Sequence, residues 1–218
     1  MSAAAIEIPL FPLNVVLFPG MVLPLHIFEP RYRQMITDCS QEDKPFGVVL
    51  AQPSSIPMQE APYTIGTMAE IRDLDRLEDG RFTLMALGTQ RFRILSQHRK
   101  KPYLSGFVEA YEDTEEPVEA AAHYAQQAYA LFYNYLELLL EATDQQDLQA
   151  ALPELPEDLS YFIAYFLDIA DEQKQQFLEM TSTQLRLQEE ITILRREVPF
   201  VRQMLLKKTS EDDHSMLN

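Results

Sequence analysis

All six glycines of this 218-residue chain, Gly20, Gly47, Gly66, Gly80, Gly88 and Gly106, lie in its first half. Glycine allows tight turns and close backbone approaches, and it weakens helix interiors. A chain divided in this way predicts a turn-punctuated, β-rich front and an uninterrupted helical back. The spacing also excludes whole classes of function. The closest pair is Gly80 and Gly88, whereas phosphate-cradling loops and the G-x-S-x-G nucleophile elbow need glycines much nearer together.

Short apolar or alternating runs at residues 6–10, 15–18, 22–28, 46–50, 65–77, 81–87 and 103–111 predict strands. Pro19-Gly20 and Asp79-Gly80 mark turns between them. Gly88 is expected to break the chain before Phe92 and Ile94 resume the alternation. One helix interrupts the front. Pro30 suits a first helical position, and Tyr32, Met35, Ile36 and Cys39 then share one face.

The composition shifts at Thr114-Glu115-Glu116-Pro117. Beyond it, Val118, Ala121, Ala122, Ala125, Tyr129, Phe132, Leu136, Leu139 and Leu140 form an apolar stripe. Leu159, Phe162, Ile163, Phe166 and Leu167 repeat the helical spacing after Pro153 and Pro156. Thr181 with Gln184 predicts a capping box, and Met180 with Leu185 a hydrophobic staple. The expected organisation is a β-rich subdomain over 1–116, a helical bundle over 117–208 and a polar, acidic tail over 209–218. In the last helix Leu187, Ile191, Leu194, Val198, Val201 and Leu205 make a heptad seam interrupted by Pro199. That seam can face a second copy, giving a homodimer, or pack against the helix carrying Tyr129 and Leu140.

Charge narrows the partners. Acidic residues outnumber basic ones by 34 to 18, for a net charge of −16. Nucleic acid and anionic membranes are bound largely through cationic neutralisation of phosphate, so neither is expected as a partner. The single cysteine, Cys39, excludes an internal disulfide and points to a reducing, cytoplasmic setting. His26, His98, His123 and His214 are scattered without metal-ligand spacing, so no metal is expected. The most apolar stretch, residues 10–28, is cut by Pro12, Pro19 and Pro24 and does not read as a membrane span. No basic region precedes it, so no secretory signal is expected.

Three segments carry a family resemblance. Residues 9–32 read PLFPLNVVLFPGMVLPLHIFEPRY, residues 88–94 read GTQRFRI, and residues 156–197 add EQKQQFLE and Arg186-Leu187. Together they resemble the amino-terminal substrate-recognition domain of Lon proteases, above all its stand-alone relatives. The resemblance implies an α+β fold, a PUA-like pseudo-barrel with one inserted helix followed by a helical bundle. It also implies recruitment of unfolded or degron-bearing polypeptides in protein quality control, with no cofactor. The sequence ends at Asn218, before any ATPase or peptidase segment. It is therefore expected to be non-catalytic and to work with a separate ATP-dependent protease.

Pro12, Pro19, Gly20, Pro24, Glu29, Pro30, Arg31, Tyr32, Gly88 and Arg91 carry the family motifs and are read as structural. For Arg31, Arg91 and Arg93 that means ties to Glu29 or Glu70 in place of a grip on a ligand carboxylate. Candidate polypeptide contacts, from position and apolarity, are Leu13, Val15, Met21, Met58 and Tyr63. An extended segment can pair with an open strand edge and bury side chains there. Two alternatives stay open. One is an RNA-binding module built on Arg91, Arg93, Arg99, Lys100 and Lys101 with Phe92 and Tyr103. The other is a small-molecule sensor with a pocket between barrel and bundle.

Overall fold

The computed structural model describes residues 5–52, 61–142 and 151–215. Their order is β1 (Ile6–Leu13), β2 (Val22–Ile27), α1 (Pro30–Glu42), β3 (Phe46–Leu50), β4 (Ile65–Arg76), β5 (Phe82–His98) and β6 (Ser105–Ala110). Four helices follow: α2 (Val118–Ala142), α3 (Pro156–Phe166), α4 (Asp171–Glu179) and α5 (Thr183–Ser215). The fold is α+β, as the resemblance implies. Two compact units divide the chain. One holds the residues up to Asp113 together with Ala164–Thr181. The other holds Thr114–Ile163 together with the residues from Ser182 on. A division at residue 116 assigns residues 164–181 to the helical part; in the structure they group with the sheet.

The sheet runs β2-β5-β4-β3-β1-β6, and β6 also pairs with β5. That pairing closes five strands into a ring and leaves β2 as an added strand on β5. Only β1 and β3 run parallel among these pairs. The 17-residue β5 serves two neighbours in turn, β2 through Phe82–Leu87 and β6 through Phe92–His98.

Gly88 does not break β5. A Cβ there would lie 2.4 Å from the Phe18 carbonyl oxygen. The Gly88 N–H donates to the Met21 carbonyl (2.8 Å), and the Gly20 N–H donates to the Gly88 carbonyl (2.9 Å). The glycine thus marks where the chain before β2 crosses β5, a close approach that any side chain would block. Residues 15–18 are correspondingly not a strand. Val16, Leu17 and Phe18 point inward and are buried, and the buried Thr67 hydroxyl donates to the Leu17 carbonyl (2.6 Å). A continuous apolar run fits either a buried strand or an inward-packed loop, and here the crossing decides for the loop.

In α1 the four residues of the expected face, Tyr32, Met35, Ile36 and Cys39, are all buried. They pack into a core with Phe11, Phe46, Leu84 and Ala86, while Leu10, Val49, Phe92 and Val108 form a second core inside the ring. Each fully buried side chain of this size contributes about 1.5–3 kcal/mol.

In the helical unit α2 packs on α5. The α2 face that is buried is Ala121, Ala125, Ala128, Phe132, Tyr135 and Leu138; Tyr129, from the expected stripe, is exposed. Of the seam residues, Leu187, Ile191, Leu194 and Val198 are buried, and Val201 and Leu205 are half-buried. The α5 start also differs from expectation. Ser182 caps it, its hydroxyl accepting the Leu185 N–H (3.1 Å) and donating to Glu116, whose other oxygen accepts the Gln184 N–H (3.1 Å). Glu116 replaces the glutamine of a local capping box, and Leu185 is exposed instead of stapled. The helix continues through Pro199.

Among the described residues no helix is long and apolar enough to cross a membrane.

Candidate functional site

Along β2 the side chains alternate. Leu23, Leu25 and Ile27 turn toward the core; Val22, Pro24 and His26 turn outward. Register carries the pattern onto the next strand. Val22 lies opposite Leu87, Pro24 opposite Met85 and His26 opposite Thr83, and Leu87 and Met85 in turn lie opposite Glu70 and Arg72 on β4. The result is an outward apolar strip of Val22, Pro24, Met85 and Leu87 on the two strands nearest the free edge. Val22 is 46% and Met85 40% exposed. The Glu70–Arg72 ion pair (2.6 Å) borders the strip.

The free edge of β2 is itself partly closed. Because Gly88 bonds to Met21, alternation places the backbone groups of Val22, Pro24 and His26 on the side away from β5. The Val22 carbonyl accepts the Tyr165 hydroxyl (3.3 Å), and Pro24 has no N–H to offer. Such devices blunt an edge against indiscriminate pairing. Phe166, which follows Tyr165 and meets its ring edge-on at 5.0 Å, is 45% exposed. Phe28, 61% exposed, follows the other end of β2.

Tyr165 belongs to residues 164–181, and buried polar contacts hold that segment to the ring. Arg91 donates to the carbonyls of Leu178 (2.7 Å) and Met180 (2.6 Å), pairs with Asp113 and lies over the Tyr111 ring. The Tyr111 hydroxyl donates to the Glu179 carbonyl (2.9 Å). Three carbonyls at the end of α4, which have no helical donor, are thereby satisfied from β5 and the residues after β6. At its other side Gln175 is buried and donates to the Ile65 carbonyl (3.1 Å). The Lys174 ammonium donates to the Tyr165 carbonyl (2.8 Å).

Comparison with known proteins gives this architecture its family. Residues 7–196 match the ATP-dependent protease La (LON) substrate-binding domain. The Lon protease of Anaeromyxobacter dehalogenans is 30% identical over 205 residues, which span 87% of this chain and 23% of that protein. The Lon N-terminal domain protein from Xanthomonas campestris superposes with a TM-score of 0.63 at 27% identity, covering 86% of this chain and 98% of that one. The N-terminal domain of the Mycobacterium avium complex Lon protease superposes with a TM-score of 0.64 at 18% identity. The chain belongs to the Lon substrate-binding domain family. It spans about a quarter of the curated Lon protease it matches, and what is matched is the substrate-binding domain.

Within this Lon domain the motif residues fall on β1, the turn before β2, β2, the start of α1 and β5. Pro12 is buried in β1, Pro19 and Gly20 form a turn with Gly20 at φ +77°, and Pro24 faces outward from β2. Pro30 opens α1 behind an extended Glu29. Arg31 donates to Glu29 (3.0 Å) and lies 4.4 Å over the ring of Tyr32, which is buried against Phe11. Arg91 ties to Asp113 and main-chain carbonyls, Arg93 to Glu109 (3.3 Å), and Glu70 is engaged by Arg72.

Of the candidate contacts, Leu13 and Met21 are half-buried against the first core, and Val15 and Tyr63 are also half-buried. Met58 lies outside the described residues. None of the four described ones belongs to the apolar strip. The strip was readable as the outward half of the β2 and β5 alternation, once β5 was known to run beside β2.

The basic cluster is dismantled by the fold. Arg91, Phe92 and Tyr103 are buried, Arg93 pairs with Glu109 and Lys101 with Asp38 (2.9 Å). Arg99 and Lys100 are its exposed members outside any ion pair among the described residues, and the exposed Arg93 and Lys101 are already engaged by acids, which opposes the run of free phosphate contacts on which RNA affinity rests.

Proposed function

We propose that this chain is a non-catalytic polypeptide-binding module that takes extended apolar segments of unfolded or degron-bearing proteins on the β2–β5 strip. The observation that carries the reading is the pairing of Val22 with Leu87 and Pro24 with Met85 on an outward, solvent-facing side of two strands. Apolar surface of this kind on a charged, acidic protein marks an interaction site. Exposed Phe28 follows it at one end, and methionine and proline suit contact with many sequences because neither demands a hydrogen-bond partner. Pro24 and the Tyr165 bond limit strand addition, so side-chain burial carries most of the affinity. Membership of the Lon substrate-binding domain family supports hand-over to an ATP-dependent protease as the next step.

The test is photo-crosslinking. An unfolded, carboxymethylated polypeptide bearing photoreactive groups is expected to mark β2 and β5 preferentially, in a saturable manner. Labelling spread evenly over the surface, or concentrated on the helical unit, removes the proposal.

A further inference from the structure

Most cations of the sheet unit are matched to acids. Arg31 pairs with Glu29, Arg72 with Glu70, Arg81 with Asp79, Arg91 with Asp113, Arg93 with Glu109, Lys44 with Glu42 and Lys101 with Asp38. Among the described residues Arg33, Arg76 and Arg99 depart from this pattern, and the first two share one groove. Arg33 of α1 and Arg76 of β4 line a cavity of about 260 Å³ with Pro30, Gly80 and Phe82. Among the described residues neither has a carboxylate at ion-pair distance.

The groove is built around the first of them. Gly80 turns the β4–β5 hairpin at φ +79°, and a Cβ on it would lie 2.7 Å from Arg33 Nη2. Any side chain there would displace the guanidinium. The nearby carboxylate of Asp79 is held by the Arg81 amide N–H (3.1 Å) and Nε (2.6 Å). The neutral groups of the groove are also engaged: Thr37 donates to the Arg33 carbonyl (2.8 Å) and Gln34 to Asp38 (2.6 Å). Arg76 rests beside the Phe82 ring, 5.9 Å from its centroid, which gives the groove an aromatic side at that cation. Two planar forks next to apolar surface are suited to one carboxylate. A polyanion is opposed by the net charge of −16.

We infer that the α1–hairpin groove binds a carboxylate of a partner polypeptide between Arg33 and Arg76. The inference rests on the reading of this unit as a polypeptide binder and adds a charge preference to it. The carboxylate can come from an acidic side chain or from a chain's C-terminus.

The test uses the full chain and a fluorescent, short apolar peptide in three forms: neutral and C-amidated, amidated with one internal Asp, and neutral with a free C-terminus. Anisotropy titrations are expected to show about tenfold tighter binding of one carboxylate form than of the neutral form. Which form gains names the source. Arg33→Gln and Arg76→Gln are each expected to abolish the gain while binding the neutral peptide as the parent does. Equal affinity of the parent for all three forms overturns the inference and leaves the apolar-strip reading standing. So does a gain that survives both substitutions. Failure of every form to bind removes both readings.

Discussion

Arg91 Nη1 lies 2.7 Å from the carbonyl oxygen of Leu178, a residue 87 positions further along the chain. Together with the bond to Met180 and the pairing with Asp113, it makes Arg91 the buried pin between β5 and the segment that carries Tyr165. An arginine in a family motif thus acts on the apolar strip from a distance, by holding the segment that caps the strand edge.

Removing that pin leaves Asp113 and the α4 carbonyls buried without their donor. Arg91→Ala is expected to destabilise the protein by about 3–5 kcal/mol, read from denaturant unfolding. Arg91→Lys should recover little, because an ammonium cannot reproduce a planar fork bonded on several sides.

Gly88 supplies a second structural prediction. Gly88→Ala places a methyl group against the Phe18 carbonyl, at 2.4 Å, where only a backbone shift can relieve it. A loss of about 1–3 kcal/mol in the same measurement is expected, comparable to overpacking a core. A neutral effect would mean that the crossing of the two segments is looser than described.

These two residues also show how far the sequence could be read. Helix α1 was legible in full, because Pro30 and the 32-35-36-39 spacing are local signals. The hairpin at Asp79-Gly80 was legible for the same reason. The role of Gly88 was not, since a glycine that ends a strand and one that lets another segment cross look alike until the crossing partner is known. The partners of Arg91 lie 87 and 89 positions away and are main-chain oxygens, which carry no sequence identity. The apolar strip was hidden for a related reason. Each strand's alternation is visible, but which half faces solvent depends on register. The α5 cap moved by one residue because Glu116, from before α2, supplied what the local glutamine was expected to supply.

Cys39 should behave as an inert thiol. Burial pushes it up to about 12, with the neighbouring Asp38 adding to the effect. Alkylation of the native protein at mildly alkaline pH is expected to be at least about a hundredfold slower than in denaturant, since the thiolate is the reactive form. Fast native labelling would contradict the packing of α1.

Glu190 gives a pH signature. It is fully buried in α5, neither carboxyl oxygen has a hydrogen-bond partner among the described residues, and desolvation raises its pKa well above the usual glutamate range, opposed only in part by Arg186. The native state therefore keeps this proton where the unfolded chain has lost it. The stability tied to it is present at acid pH and is lost as pH rises above the ordinary glutamate value. Glu190→Gln should remove that decline and raise stability at neutral pH by about 1–3 kcal/mol. Parallel pH–stability curves for the two proteins would show that the carboxyl is hydrated or paired.

The outward strip on β2 and β5 is proposed to hold extended apolar polypeptide. Val22→Glu and Met85→Glu place charge on it at exposed positions, and thermal melts should match those of the parent chain. The direct measurement is the dissociation constant for a fluorescent, permanently unfolded polypeptide, taken for the parent and both variants. The parent is expected to bind saturably and each variant at least about tenfold more weakly, as for charging an apolar contact. Equal affinities in all three proteins, or no saturable binding by the parent, would contradict it.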